Sequence, residues 1–224
     1  MTDVVQPTVT VFTGLAWGDL LFMAQGAGRT LLLTVWAAVL GTLVGTALGV
    51  ARASAPQLVV ATLGGFIDVV RSVPLLIQFI LASSAAAVMG YPLSPFVVGV
   101  LVLSIYMAAY VTEVVRGGVL AVPALTRRAA RSLGMTWWQD LRWIVLPLGL
   151  RAVLPAWIGL VLGLVKDTSL IAVIGYIELL RASQIVITRT QEPMLVLAGT
   201  GLFYFTICYP IARLSDRLER RLAT

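Results

Sequence analysis

Histidine is missing from these 224 residues, cysteine occurs once (Cys208) and lysine once (Lys166). Each scarcity removes a class of chemistry. One cysteine cannot close a disulfide within the chain, and without histidine the usual zinc and haem sites lack their ligands, so no metal site is expected. Triads built on histidine are excluded as well, and no catalytic residue is expected. A phosphate-binding loop of the type G-x-x-x-x-G-K-[ST] needs a Gly-Lys pair, but Val165 precedes the single lysine. If ATP drives this protein, another chain hydrolyses it. Charge is scarce too: 12% of residues are charged and 59% hydrophobic, with a mean hydropathy of +0.98. Soluble domains carry roughly 25% charged residues, so this balance belongs to an integral membrane protein. The formal charge of +6 then reads as arginines obeying the positive-inside rule, not as a nucleic-acid footprint.

What is present is a series of apolar runs long enough to cross a bilayer, which needs about 20 residues per helix. The first residues include Asp3, lack a basic n-region and do not read as a signal peptide. Val9 to Gln25 is mildly amphipathic and suits the membrane interface, so 1–28 forms an N-terminal interfacial segment. Five spans are expected over 29–215: Thr30 to Ala51, Phe66 to Met89, Pro95 to Val115, Ala152 to Val165, and Met194 to Leu214, with a tail at 216–224. Gly41, Gly45 and Gly49 share one face of the first span, where a neighbouring helix can approach closely; Gly159 and Gly163 suggest the same in the fourth. Arg52, Arg116, Arg127, Arg128, Arg131 and Arg142 fall on one side of the membrane with the C-terminal arginines. Asp3, Asp19, Arg29, Glu178, Arg181, Arg189 and Glu192 fall on the other, nearly balanced. The N-terminus is therefore expected outside and the C-terminus in the cytoplasm.

Between the third and fourth spans the chain turns basic and punctuated. A helix from about Pro123 meets Gly134, a residue that ends helices in the left-handed conformation at no steric cost. Thr136 and Gln139 then have the spacing of a capping box, so a second helix starts there, and Pro147 is expected to bend or end it. The reading is a compact knob outside the membrane, shaped to fit a socket on something else.

The pattern Ala129-Ala130, three residues, Gly134, nine residues, Ile144, one residue, Leu146-Pro147 resembles the EAA loop of bacterial ABC importer permeases. The family's leading Glu is Arg128 here, and the Gly-Gln common before it is Leu125-Thr126. Arg71-Ser72-Val73-Pro74-Leu75-Leu76-Ile77-Gln78 is similar to the R-G-T-P-L-L-x-Q signature of the polar amino-acid branch. Two further stretches are also family-like: Ala109-Tyr110 through Glu113 to Arg116-Gly117, and Lys166-Asp167-Thr168-Ser169-Leu170 followed by Gly175 and Glu178. The resemblance covers about 29–210.

It implies an all-α membrane protein of the type I importer permease fold, with five transmembrane helices and a cytoplasmic coupling helix in a loop at about 117–147. It also implies a place in the bacterial inner membrane and an assembly with an ATP-binding subunit carrying ATP and Mg, a second permease, identical or paralogous, and an extracytoplasmic amino-acid-binding protein. No cofactor is expected in this chain. Arg128, Ala129, Ala130, Gly134, Ile144, Leu146 and Pro147 would couple to the ATPase, and Arg71, Ser72, Gln78, Lys166, Asp167, Thr168, Ser169 and Glu178 would line the path of an amino-acid solute.

From the residues alone, polar groups at membrane depth are costly and either pair, face a cavity or bind a solute. Lys166 and Asp167 match the charges of a zwitterion but would look the same as a self-neutralising pair, and Arg71 would look the same as an interfacial anchor. The alternative to an ATP-driven importer is an ion-coupled secondary transporter or channel, with Lys166 and Asp167 relaying a proton. Against it, five spans do not divide into inverted repeats. An intramembrane enzyme has neither histidine nor an obvious carboxylate pair to support it.

Overall fold

The structure is a computed structural model that describes residues 14–222, with side chains to Arg220. Residues 1–13 of the expected interfacial segment, Asp3 among them, residues 223–224 of the expected tail and the side chain of Arg221 lie outside the described residues. Among the described residues there are nine α-helices and no strand. Four helical runs are long and apolar enough to cross a membrane, and a bent pair makes a fifth. The span count expected from hydropathy is met on that counting, but several boundaries move.

Helix α1 (Trp17–Ser54) is one 38-residue helix, about 57 Å long at 1.5 Å per residue. The amphipathic stretch is therefore not a separate element: from Trp17 it forms the opening turns of α1, with Met23 and Ala27 buried in a core of their own. The expected second span, Phe66 to Met89, is corrected to two helices, α2 (Gln57–Ser72) and α3 (Leu75–Val88), bent by 100°. Pro74 sits at the break, where a residue without an N–H and with a restricted predecessor cannot continue a helix. Helix α4 (Pro95–Ala121) opens on Ser94, whose hydroxyl accepts from the Val97 N–H at 3.4 Å. It outlasts the Val115 end expected for it.

Next come the short helices α5 (Ala124–Ser132) and α6 (Trp137–Asp140). Helical chain then continues through a π turn, Leu141–Val145, into α7 (Leu146–Asp167) and a 3₁₀ segment, Thr168–Ile174. Pro147 does not end this run. The chain widens into the π turn just ahead of it, where the Leu146 N–H donates to the Leu141 carbonyl, and Pro147 lies in the opening turn of α7, where a missing N–H costs little. The expected span Ala152 to Val165 is thus the middle of a 38-residue run, Trp137–Ile174. The polar segment at 176–193 holds a further helix, α8 (Leu179–Thr190), and α9 (Pro193–Leu222) absorbs the last span and residues 216–222 of the expected tail.

Helices α1 and α4 pack most intimately, for the reason their glycines suggested. A Cβ added at Gly41 would lie 2.6 Å from Met107 Cβ, at Gly45 2.7 Å from Val111 Cβ, and at Gly49 2.8 Å from the Thr112 carbonyl. The main core, around Leu33, Phe79, Leu103, Met107, Leu164 and Ile171, joins α1, α3, α4, α7 and the 3₁₀ segment. Gly45→Leu is expected to separate α1 from α4 at a cost of about 1–3 kcal/mol or more, the range for overpacking a tight contact. Its signature is a lower midpoint of thermal unfolding in detergent; an unchanged midpoint would mean the two helices are free to move apart.

Gly159 and Gly163 behave otherwise. Beyond their own helix backbone, no atom among the described residues lies within 4 Å of a Cβ built at either, so, contrary to expectation, no described helix of this chain packs on them.

Candidate functional site: a docking knob and a polar cavity on one helical run

The knob is built by local rules. Gly134 takes φ +84, and the Leu133 and Gly134 N–H groups cap the end of α5. Both halves of the capping box form: the Thr136 N–H donates to Gln139 Oε1 at 2.7 Å, and the Gln139 N–H to Thr136 Oγ1 at 3.4 Å. What holds the two short helices together is a pair that the spacing did not reveal. Asp140, fully buried, accepts from Arg127 Nε at 3.0 Å and Nη2 at 2.9 Å, with Arg131 at 3.9 Å. The partners lie 13 residues apart across the turn, beyond any helical register, and the only hint in the sequence was a lone acid among arginines. Beneath them Leu141 and Val145 pack with Val119 of α4 and Val122 just past its end, and against Val50 and Ala53 of α1, which seats the knob on the bundle.

Of the residues expected to couple, Ala130 is buried and Ile144 half-buried, while Arg128, Ala129, Gly134, Leu146 and Pro147 are exposed. Nearby, Arg52 at the end of α1 pairs with Glu113. Arg116, three residues on in the sequence, also pairs with Glu113, at 3.9 Å.

At the opposite end Arg189 pairs with Asp19, and Arg29 donates to the Ile177 carbonyl at 3.1 Å. Glu178 is there too, and it does not face a path. It is fully buried and caps α8, accepting from the Leu180 and Arg181 N–H groups at 2.8 and 2.7 Å. Burial pushes its carboxyl above the usual range, and those two backbone donors oppose the shift.

Between the ends lies a cavity of about 200 Å³ lined by Tyr106, Tyr110, Gly159, Gly163 and Asp167, with Met107, Leu160 and Leu164. That is below the roughly 300–1,000 Å³ of drug-sized sites and suits a small solute. The open glycines 159 and 163 are explained here, since they leave the cavity unfilled. The Tyr106 and Tyr110 hydroxyls lie 3.5 Å apart, and the Arg71 guanidinium sits over the Tyr110 ring, 5.0 Å from its centroid. A carboxylate thus borders an aromatic-walled space, and a cation lies against one of its rings. A wider cavity of about 260 Å³ between α1, α4 and α7 is almost wholly apolar, and the Trp157 indole N–H there already donates to Thr42 at 2.9 Å. It offers nothing to orient a charged solute.

The other expected path residues divide. Gln78 is structural: its amide nitrogen donates to the Val70 and Val73 carbonyls at 2.8 and 2.9 Å, closing the end of α2 across the Pro74 break. The Thr168 and Ser169 hydroxyls donate to the Val165 and Lys166 carbonyls, both at 2.7 Å, and Thr168 is fully buried. Ser72 and Lys166 are exposed, and no ion pair joins Lys166 to Asp167 among the described residues. Tyr106 and Tyr110 stand near the end of the third expected span, but nothing local in the sequence brings them to the same space as Asp167. The described residues hold no cluster of acids or cysteines able to bind a metal ion.

The family described as binding-protein-dependent transport system inner membrane component matches residues 41–224. The glutamine transport system permease protein of Escherichia coli (strain K12) is 31% identical over 208 residues, 92% of this chain and 95% of that protein. A probable amino-acid ABC transporter permease protein of Bacillus subtilis (strain 168) is 31% identical over 211 residues, 94% and 93% of the two chains. The crystal structure of an amino acid ABC transporter with histidines superposes with a TM-score of 0.83 at 28% identity, covering 93% of this chain and 99% of that one.

Proposed function

The chain belongs to the family of binding-protein-dependent transport system inner membrane components, and from that premise we propose that it admits a polar amino acid by alternating access, driven by ATP hydrolysed on a separate subunit. The observation that carries the reading is a mechanical continuity. The knob's α6 and the cavity's Gly159, Gly163 and Asp167 lie on one helical run, Trp137–Ile174. Asp140 and Asp167 are about 40 Å apart along it at 1.5 Å per residue. A pull on the knob is therefore delivered to the cavity wall, and a packed bundle answers by switching between discrete arrangements.

In this mechanism ATP and Mg bind the partner ATPase, and closure of its subunits moves the 124–143 knob as a lever. The solute arrives from an extracytoplasmic binding protein and crosses between this permease and a second one, identical or paralogous. Arg71 takes the solute carboxylate and Asp167 its ammonium, with Tyr106 and Tyr110 supplying hydroxyls. No bond of the solute breaks, so this chain moves cargo and is not itself catalytic. The knob faces the cytoplasm and the N-terminus lies outside. Supporting that orientation, Arg52, Arg116, Arg127, Arg128, Arg131 and Arg142 gather at the knob end against Glu113 and Asp140, while charges nearly balance around Asp19, Arg29, Glu178 and Arg189.

The test is uptake of a panel of labelled amino acids into proteoliposomes holding the permease with its ATPase and binding protein. Uptake is expected to require ATP and to survive collapse of the proton gradient. Uptake that follows the gradient and ignores ATP would establish the ion-coupled reading instead.

A further inference from the structure

Helix α5 has two unlike faces. Arg127, Ala130 and Arg131 turn toward Asp140 and the bundle. Leu125, Arg128, Ala129 and Ser132, spaced i, i+3, i+4, i+7, share the outward face, and all four are exposed. Leu133 extends that face beyond the helix, 85% exposed, beside Leu125 at 79%. Such apolar residues on a small rigid projection mark a contact with another protein. The charges on the knob are not equivalent. Over 124–143 there are four arginines and one acid, Asp140. Asp140 engages Arg127 and Arg131, and Arg142 stacks on Trp143 with its guanidinium 5.3 Å from the ring centroid. Arg128 has no ion pair among the described residues and stands at the centre of the outward face.

We propose that the socket receiving this knob on the ATP-binding subunit is acidic: an apolar floor takes Leu125 and Leu133, and at least one carboxylate lies opposite Arg128. The proposal rests on the reading of the knob as the ATPase contact and adds the chemistry of the partner's side. Closing the contact strips water from Arg128, and an arginine left without a counter-charge there would oppose docking. A carboxylate answers it with a bidentate pair that also sets register. The same charge excludes ATP-binding subunits whose socket presents a cation, since like charges brought together at an interface cost affinity and slow encounter. This permease is therefore matched to its own ATPase through Arg128.

The experiment titrates the purified ATP-binding subunit of this transporter onto the permease in nanodiscs of zwitterionic lipid, so that headgroups supply no net counter-charge. Arg128→Ala is expected to weaken binding about tenfold and Arg128→Glu about a hundredfold, about one and two steps of 1.4 kcal/mol. Arg128→Lys is expected to stay within a few-fold of the unaltered chain, and the Arg128→Glu deficit is expected to shrink as salt rises. Changing one socket carboxylate to lysine should restore binding of Arg128→Glu. Binding of Arg128→Glu as tight as that of the unaltered permease at low salt would overturn the charge assignment alone. Failure of the unaltered permease to bind would overturn the docking reading and this proposal with it.

Discussion

Asp140→Ala is expected to cut ATP-driven uptake at least tenfold while leaving the transmembrane bundle folded. The carboxylate is fully buried and holds Arg127 at 2.9 and 3.0 Å, with Arg131 at 3.9 Å. Removing it leaves two cations one turn apart on α5 without their shared counter-charge. Breaking a buried pair costs roughly 3–5 kcal/mol. The lower end applies here, because the Arg127 side chain keeps 22% of its surface in water. Helix α5 has nine residues and cannot sustain itself as an isolated helix once it loses its tie to Asp140. The loss is therefore local: the knob opens while α1, α4 and α7 stay packed. Three readouts separate this from general unfolding. Uptake and ATPase co-elution should fall, trypsin should cut at Arg127, Arg128 or Arg131, and the melting of the bundle should hardly move. Arg127→Met combined with Asp140→Leu should recover much of the loss, because an apolar pair of similar volume can replace a buried ion pair. An Asp140→Ala chain that transports and resists trypsin normally would show that the pair does not brace the knob.

The second large effect belongs to the cavity. Asp167→Asn and Arg71→Ala are each expected to lower uptake by tenfold or more while the ATPase still co-purifies with the permease. An amino acid brings two opposite charges into a space walled by Tyr106, Tyr110 and Asp167, with Arg71 over the Tyr110 ring. Deleting one protein charge leaves its counterpart on the solute desolvated and unpaired. Losing one partner of a buried charge pair costs about 2–5 kcal/mol. The lower end applies, because Asp167 is half-buried and the Arg71 side chain 37% exposed, and it corresponds to roughly thirty-fold in affinity. Tyr106→Phe should cost less, because it removes one hydroxyl and no charge. Solute affinity and uptake measured across these variants give the check. If Asp167→Asn takes up every amino acid of the panel at the normal rate, the carboxylate is not a solute ligand. Lys166→Ala serves as a control: Lys166 is exposed and does not line this cavity, so it should matter less than either.

Much of this was legible in the chain because the forces involved are short-ranged. The Gly134 turn and the Thr136–Gln139 capping box depend on neighbours within three residues, and both form as the spacing requires. The Gly41, Gly45 and Gly49 stripe was readable because helical period alone puts it on one face, and α4 packs against that face. Hydropathy alone established a membrane protein of about five spans. The same glycine argument failed at Gly159 and Gly163, because period defines a face without saying whether a helix or a cavity meets it.

Tertiary structure decided the remainder, in each case by bringing together groups far apart in sequence. It set Asp140 against Arg127 and Arg52 against Glu113, and it placed Tyr110 between Arg71 and the cavity that Asp167 lines. It also turned two expected path residues into scaffolding, Gln78 across the Pro74 break and Glu178 at the start of α8. A polar residue in an apolar span announces that it needs a partner, because burial without one is too costly to persist. Which partner it finds, whether solute, backbone or distant side chain, depends on how the helices pack, and no local pattern in the sequence records that.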